Sequence, residues 1–399
     1  MTKAVYVVAA HRSAVTKAHR GALATMRPDD MLAQLMRQML HKQPCPPDSI
    51  DDVIIGCATP EAEQGMNIAR MSTLLAGLPD TVPGFTINRF CASGLESIAL
   101  AAAKIQSNQA HLVIAGGVES MSLLPFGGHH LRPNPRLFTD GHDLYPASYS
   151  MGITAEAIAR EYAITRQAQD TFALASHEKA IAAIDNKQFH KEILPLHHTL
   201  SHPAGEGTAL EKTTTTIDAD SGPRRDTSLE ALARLKPVFA KAGSVTAGNS
   251  SQISDGAAVL LLADEAAILR YDLTPIARFC GYKVAGLAPE YMGMGPVYAI
   301  PNACKAAGIS LQDIEHIELN EAFAAQALAV IEALSINPNV INPFGGAIAL
   351  GHPLGATGAI KTVTMLHNLQ AQSYRYGMTT MCIGTGMGAA GIFSHIKAG

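Results

Sequence analysis

The chain has 399 residues, 47% of them apolar and 16% charged, with 34 glycines and no tryptophan. That is enough material for a sizeable core and for more than one α/β unit. A net charge of −4 supplies no basic field for nucleic acid, and no apolar run reaches the length of a membrane span.

The elements follow in chain order. Val5–Ala10 reads as a buried strand, too short for the apolar core of a secretion signal. In Asp29–Leu40, the residues Met31, Leu32, Leu35, Met36 and Met39 form an apolar stripe at helical spacing, with Asp29 or Asp30 as the expected cap. Pro44–Pro47 ends that helix. Ile50–Cys57 is a strand, and Asn67–Ala76 is a helix closed near Gly77 and Pro79. Phe85, Ile87 and Phe90 are β-like up to Cys91; beyond it Leu95, Ile98, Ala99 and Ala102 recur at helical spacing. Ala110–Gly116 is a near-continuous apolar strand. Strands alternating with helices predict a layered α/β domain around a buried, mostly parallel sheet.

From Leu123 the texture changes. Leu123–Ser150 is rich in Pro, Gly and His, Glu156–Tyr162 and Arg166–Ile184 are helical, and Asn186–Leu235 reads as polar loop, Thr213–Thr216 included. Such an insertion serves as a lid that shapes a substrate site or as a structural cover. Gly256–Leu262 is strand-like again. From Thr274 the first layout repeats, with strands over Ile276–Val284, Ile314–Leu319 and Val340–Pro343. Helices cover Gly295–Ala307, Ala322–Leu334 and Ala356–Asn368, and Tyr376–Ile383 is the last long strand. Asp51–Gly56 overlays Asp313–Glu318, Thr86–Phe90 overlays Ile341–Phe344, and Leu112–Gly117 overlays Thr380–Thr385. The chain therefore divides into one half at 1–121 with 244–268, an inserted loop domain at 122–243, and a similar half at 269–399. Like halves set equivalent loop ends face to face, which favours one site at their junction.

Cys91 lies at a strand-to-helix switch, where helix N–H groups lower a thiol's pKa and so favour the nucleophilic thiolate. A small cysteine packed under a helix gives the same pattern. The other cysteines (Cys45, Cys57, Cys280, Cys304, Cys382) form no CxxC pair, so neither a zinc site nor a disulfide framework is suggested, and reduced thiols fit best. Asn320 stands at a second switch, in Asn320-Glu321-Ala322-Phe323, where it also suits an N-cap. His352 sits in the glycine-rich stretch Asn342–Gly358, whose backbone can approach a ligand closely; there it can act as a base for a thiol or be a satisfied structural residue. Cys382 ends a strand and runs into Gly384, whose N–H suits an oxyanion. Thr246–Ala258 is a small-residue polar loop, fit to bind an amide or phosphate chain or simply to turn before a strand.

Taken together, Cys91-Ala-Ser-Gly, Asn320-Glu-Ala-Phe-Ala, the Gly345–Gly358 run through His352 and Cys382-Ile-Gly-Thr-Gly-Met-Gly resemble the thiolases, in family order and over essentially the whole chain. The resemblance implies a five-layered αβαβα fold of two α/β halves plus a loop domain, assembled as a homodimer or homotetramer. It implies Cys91 as the nucleophile that carries an acyl thioester, His352 as its base and Cys382 as the acid/base at the carbon. Asn320 would hold a water for the enolate, and the N–H groups of Cys91 and Gly384 would take the oxyanion. Ser251 would meet the pantetheine of coenzyme A and Arg224 its nucleotide end, with Met151 and Phe323 lining the pocket. Acyl-CoA and CoA are the implied partners, CoA as co-substrate, with no metal and no other cofactor.

Ser150–Glu156, Gly248–Ala258 and Tyr291–Pro296 resemble the degradative 3-ketoacyl-CoA type of β-oxidation, with which a hydratase–dehydrogenase partner is plausible. Short-chain acetoacetyl-CoA thiolases tend to carry histidine where Ser150 stands. A short-chain enzyme running in the condensing direction and a non-enzymatic acyl-CoA carrier are the alternatives. The departures are Thr385, where many members have glycine, and the histidines His129, His130 and His142. Neither terminus shows an address, so a cytoplasmic location is expected, or the mitochondrial matrix in a eukaryote.

Overall fold

The computed structural model describes residues 3–134, 150–203 and 210–396. Its first half contains β1 (Tyr6–Arg12), α1 (Pro28–His41), β2 (Asp52–Gly56), α2 (Ile68–Leu75), β3 (Gly84–Ile87), α3 (Ser93–Gln106) and β4 (Leu112–Ser120). The insertion contributes α4 (Met151–Glu161), α5 (Arg166–Asp185) and the hairpin β5 (Leu196–Pro203) with β6 (Leu210–Ile217). β7 (Ser254–Ala263) and α6 (Glu265–Tyr271) follow, then β8 (Ala277–Gly286), α7 (Gly295–Ala307), β9 (His316–Leu319) and α8 (Ala324–Ala333). The chain closes with α9 (Leu354–Gln372), β10 (Tyr376–Ile383) and β11 (Met387–His395).

The strands order as β9-β10-β11-β8-β1-β7-β4-β2-β3. β3-β2-β4-β7-β1 is one half, and the run from β9 to β8 is the other, with Ile341 bridging β9 in the place of β3. The halves join where Tyr6 and Val7 of β1 pair with Arg278 and Ala277 of β8. Whole strands correspond between halves, but the third overlay is out of register: Gly117 stands opposite Gly56 and Thr379 opposite Glu318, so Gly117 belongs with Thr379 and not with Thr385.

Layering follows from alternation along strands. Val53, Ile55 and Ile114 point into a core with α1 and α2. Their neighbours Ile54, Val113 and Ala115 point the other way, against Leu95, Ile98 and Ala102 of α3. That central cluster also takes Ala356, Ile360 and Val363 of α9 and, from the second half, Met381, Ile383 and Phe393. The far face of the second half, through Met378 and Ile392, packs on α7 and α8. The result is helix, sheet, helix, sheet, helix.

The sheet is not mostly parallel as expected. β2/β3, β2/β4 and β9/β10 are parallel, while β4/β7, β1/β7, β1/β8, β8/β11 and β10/β11 are antiparallel. Helices cover both faces, so antiparallel strands here also read as continuous apolar runs. β10 is not the last strand: β11 turns back on it, its small residues Gly388, Ala389, Ala390 and Gly391 leaving no apolar signal. Thr213–Thr216 is strand, paired with β5, in a ribbon exposed on both sides that has no buried face to pattern. Val340–Pro343 supplies one bridge instead of a strand. α1 is capped at Arg27 without a side-chain bond; Pro28 starts it, and Asp29 instead pairs with Arg27. No helix among the described residues is long and apolar enough to cross a membrane.

Candidate active site

Cys91 is held by a short, strained connection. β3 stops at Ile87, Asn88 accepts the Phe90 N–H at 2.8 Å through its side chain, and Phe90 takes a φ of 45°. A left-handed non-glycine backbone costs about 1–3 kcal/mol and persists only where neighbours fix it. Here Ser93 Oγ fixes it, donating to the Phe90 carbonyl at 2.7 Å and accepting the Arg89 N–H at 2.8 Å. Cys91 then lies in a 3₁₀ turn, Phe90–Ala92, that runs directly into α3.

The lowering expected of a thiol at a helix start is reversed at Cys91 by desolvation. The Cys91 thiol is pushed up to about 11, first by desolvation, with the charge of Glu119 adding to it. The nearby backbone N–H groups of Gly384 and of Cys91 itself act in the opposite direction and are outweighed. Cys382, at the end of β10, is buried where Cys91 is partly exposed, and its thiol is pushed further up by desolvation and by Cys91. The two sulfurs thus share one environment, and both are thiols in the free site.

α3 and α9 cross backbone to backbone. A Cβ on Gly94 would lie 2.7 Å from Ala359 N and 2.9 Å from Gly355 O; one on Gly358 would lie 2.5 Å from Leu95 N. Only glycine permits that approach. Cys91 and His352 each stand just ahead of one of these helices, and both α9 and β10 pack on the Phe90–Ala92 turn. His352 follows Gly351, which takes a φ of 102°, and its N–H is held by the Gln252 carbonyl at 3.0 Å and Ser254 Oγ at 3.3 Å. Its Nδ1 is 2.6 Å from Thr357 Oγ1, and its Nε2 is 3.3 Å from Asn320 Nδ2. Desolvation, then the charge of Lys361, lowers the imidazole to about 3, so it is neutral at physiological pH.

Asn320 is not an N-cap, since α8 is capped at Phe323. Its N–H bonds the Thr380 carbonyl at 2.9 Å, and its Oδ1 is buried without a partner among the described residues. Met151 and Phe323 share a cluster with Cys382, and the Met151 sulfur lies 3.4 Å from where a Cβ on Gly384 would stand. Thr385 takes a φ of 68° and ties its hydroxyl to the Gly384 carbonyl at 2.5 Å. Ser251 is half-buried beside this group, its N–H on the Ala322 carbonyl at 2.9 Å.

Arg224 is not brought into this cluster. It is exposed on the insertion, paired with Asp226 at 3.2 Å, its N–H on His177 Nδ1. His129 and His130 are exposed, and His142 lies outside the described residues.

Among the buried carboxylates left unassigned from sequence, Glu119 and Glu321 bear on the site. Glu119 accepts from the N–H groups of Ala58 at 2.8 Å and Gly355 at 2.7 Å and from Gln64 Nε2 at 2.7 Å, pinning the start of α9 to the first half. Glu321 accepts from Ser176 at 2.7 Å and Asn342 at 2.8 Å. The available signal was a lone carboxylate inside an otherwise apolar or small-residue strand end.

A family profile described as "Thiolase, N-terminal domain" matches residues 5–266, and one described as "Thiolase, C-terminal domain" matches residues 273–395. The chain is 47% identical over 391 residues to the 3-ketoacyl-CoA thiolase of Bacillus subtilis (strain 168), spanning 98% of this chain and 99% of that one. It is 42% identical over 401 residues to the acetyl-CoA acetyltransferase of Escherichia coli (strain K12), again spanning 98% and 99%. It superposes on the dimeric peroxisomal thiolase of Saccharomyces cerevisiae with a TM-score of 0.87 and 36% identity, over 99% of this chain and 98% of that one. Likeness that runs end to end through both halves leaves one conclusion: the chain belongs to the thiolase family.

Proposed function

We propose that the protein is a 3-ketoacyl-CoA thiolase, an acyltransferase that cleaves 3-ketoacyl-CoA with CoA to acetyl-CoA and a shortened acyl-CoA. One observation carries the reading: the Phe90–Ala92 turn that holds Cys91 packs against β10, whose end carries a buried thiol, Cys382, and runs into Gly384. Neutral His352 takes the Cys91 proton as the sulfur attacks the 3-keto carbon. The carbonyl oxygen goes negative against the N–H groups of Cys91 and Gly384. When the carbonyl re-forms, the C2–C3 bond breaks and its electron pair becomes the acetyl-CoA enolate, which Cys382 protonates at carbon. Cys382, now a thiolate, takes the proton of the CoA thiol as that sulfur attacks the Cys91 thioester and releases the shortened acyl-CoA, and the displaced Cys91 sulfur takes back the proton held on His352. Asn320, with its unpartnered Oδ1 next to His352, suits a water that bonds the enolate oxygen.

For CoA, half-buried Ser251 and exposed Arg224 suit its pantetheine and nucleotide ends, with Met151 and Phe323 as apolar wall. The exposed edge strand β3 suits a second copy of the chain, since Phe85, Phe90, Met66, Leu74 and Leu75 leave apolar surface around it.

The test is CoA-dependent loss of 3-ketoacyl-CoA over a ladder of chain lengths, with mass spectrometry for an acyl group on Cys91. Cleavage of medium and long chains and a Cys91 adduct are expected, and Cys91→Ala keeps the fold and loses turnover. Activity limited to acetoacetyl-CoA would move the protein to the short-chain type. No cleavage at any length, or substantial turnover in Cys91→Ala, would overturn the mechanism.

A further inference from the structure

Resting on the reading that His352 is the base for Cys91, we propose that Thr357 is the positioning residue that selects the tautomer of His352, keeping the ring proton on Nδ1 so that Nε2 offers its lone pair to the reacting groups.

The protons available around the ring fix its tautomer. Thr357 lies in the first turns of α9, 2% exposed, so water does not compete for its hydroxyl. Its Oγ1 is 2.6 Å from His352 Nδ1 and 2.9 Å from the Pro353 carbonyl. A hydroxyl has one proton to give. A carbonyl can only accept, so the contact with Pro353 takes that proton, in the i−4 back-bond open to threonine on a helix. Oγ1 is then left to accept, and the group it accepts from is Nδ1–H. The other side of the ring agrees. Nε2 faces the Asn320 amide nitrogen at 3.3 Å, a donor, which suits a lone pair and repels a second N–H. A doubly protonated ring is disfavoured as well, first by its burial and then by Lys361, one turn further along α9 with its ammonium held 2.9 Å from Glu318. Threonine fits this task better than a freer side chain, since branching at Cβ stiffens χ1 on a helix and Oγ1 stays where the ring needs it.

Which ring nitrogen carries the proton decides whether the imidazole can accept one from a thiol on its Nε2 side. Holding the correct tautomer is a distinct contribution from supplying the base, as a third group does for the histidine of catalytic triads. Thr357 itself need touch no substrate.

The experiment uses the full chain labelled with ¹⁵N-histidine, with His352→Gln identifying the His352 signals, and compares wild type, Thr357→Val and Thr357→Ser. In wild type the long-range ¹⁵N pattern should be that of a neutral ring protonated at Nδ1. In Thr357→Val that preference should weaken, with kcat falling about tenfold and KM for both substrates held within about twofold. Thr357→Ser should restore both the spectrum and the rate. A wild-type ring protonated at Nε2 would overturn the proposal even if Thr357→Val fails to fold. So would a Thr357→Val enzyme whose His352 pattern and kcat match wild type. A wild type that forms no acyl-Cys91 refutes the underlying mechanism instead, and that outcome is read separately by mass spectrometry.

Discussion

Gly94→Ala tests whether the α3–α9 crossing sets the catalytic geometry. The new methyl carbon would meet Ala359 N at 2.7 Å, Gly355 O at 2.9 Å and the Ala359 Cβ at 3.0 Å, where ordinary contact begins at 3.4 Å. Two of these neighbours are backbone, so no side chain can swing aside and the helices must part by roughly 0.7 Å. Overpacking of this kind costs about 1–3 kcal/mol, and the gain in helix propensity from Gly to Ala returns about 1. The net expectation is a loss of roughly 0–2 kcal/mol, at most a modest fall in melting temperature.

Activity should suffer more than stability does. Cys91 precedes α3 and His352 precedes α9, so the displacement falls between the sulfur and the imidazole. A misplacement of about 1 Å costs on the order of 10²-fold in rate, which predicts a fall in kcat of roughly 10- to 50-fold. The assay pairs thiolysis kinetics with thermal melting at one fixed protein concentration. Gly281→Ala is the control, because its methyl would sit in ordinary contact, 3.6 Å from the nearest atom. If Gly94→Ala melts lower yet keeps kcat within twofold of wild type, the crossing is structural only and the reasoning fails.

Three further outcomes follow from the same geometry. Alkylation of Cys91 by a neutral reagent should accelerate with pH toward about 11 in the folded protein, and toward about 9 once unfolded; a folded profile levelling off near 8 would refute the burial argument. Folding keeps the proton on this thiol, so the stability linked to it is complete below about 9 and is lost as pH rises through about 11. Thr385→Gly should leave kcat unchanged, because the Gly384 N–H is a backbone group. Relief of a left-handed threonine, about 1–3 kcal/mol, less the glycine entropy cost of about 0.5–1, should raise stability by about 1 kcal/mol, and a lower melting temperature would show that the hydroxyl bond to Gly384 dominates.

The repeated strand–helix layout was legible because Val53–Ile55, Val113–Ala115 and their counterparts are buried between helical layers and so read as apolar runs. Strand direction was not legible, because burial on both faces erases the alternation that marks antiparallel pairs. The chemistry of the site was visible in residue types that a helix start or tight turn does not otherwise need, Cys91, His352 and Cys382 among glycines. Its electrostatics were not. Local position predicts a lowered Cys91 thiol, and desolvation by the tertiary packing around it, with the charge of Glu119 added, raises it instead. Glu119 and Thr357 act through partners far away in sequence or through one proton's direction, which no spacing records.

The turn between β10 and β11 is only three residues long; it carries Gly384, and Cys382 lies just ahead of it, at the end of β10. In the proposed reaction these address adjacent atoms of one substrate, Gly384 the carbonyl oxygen at C3 and Cys382 the carbon at C2. Neighbouring atoms in the substrate are thus served by near-neighbours in the chain, whose separation is set by bond lengths and one turn. Nothing that loosens the contact between the halves can pull these two groups apart. The nucleophile is the part that arrives from elsewhere, so a disturbed enzyme should lose acyl transfer to Cys91 before it loses proton exchange at the α-carbon of bound acetyl-CoA.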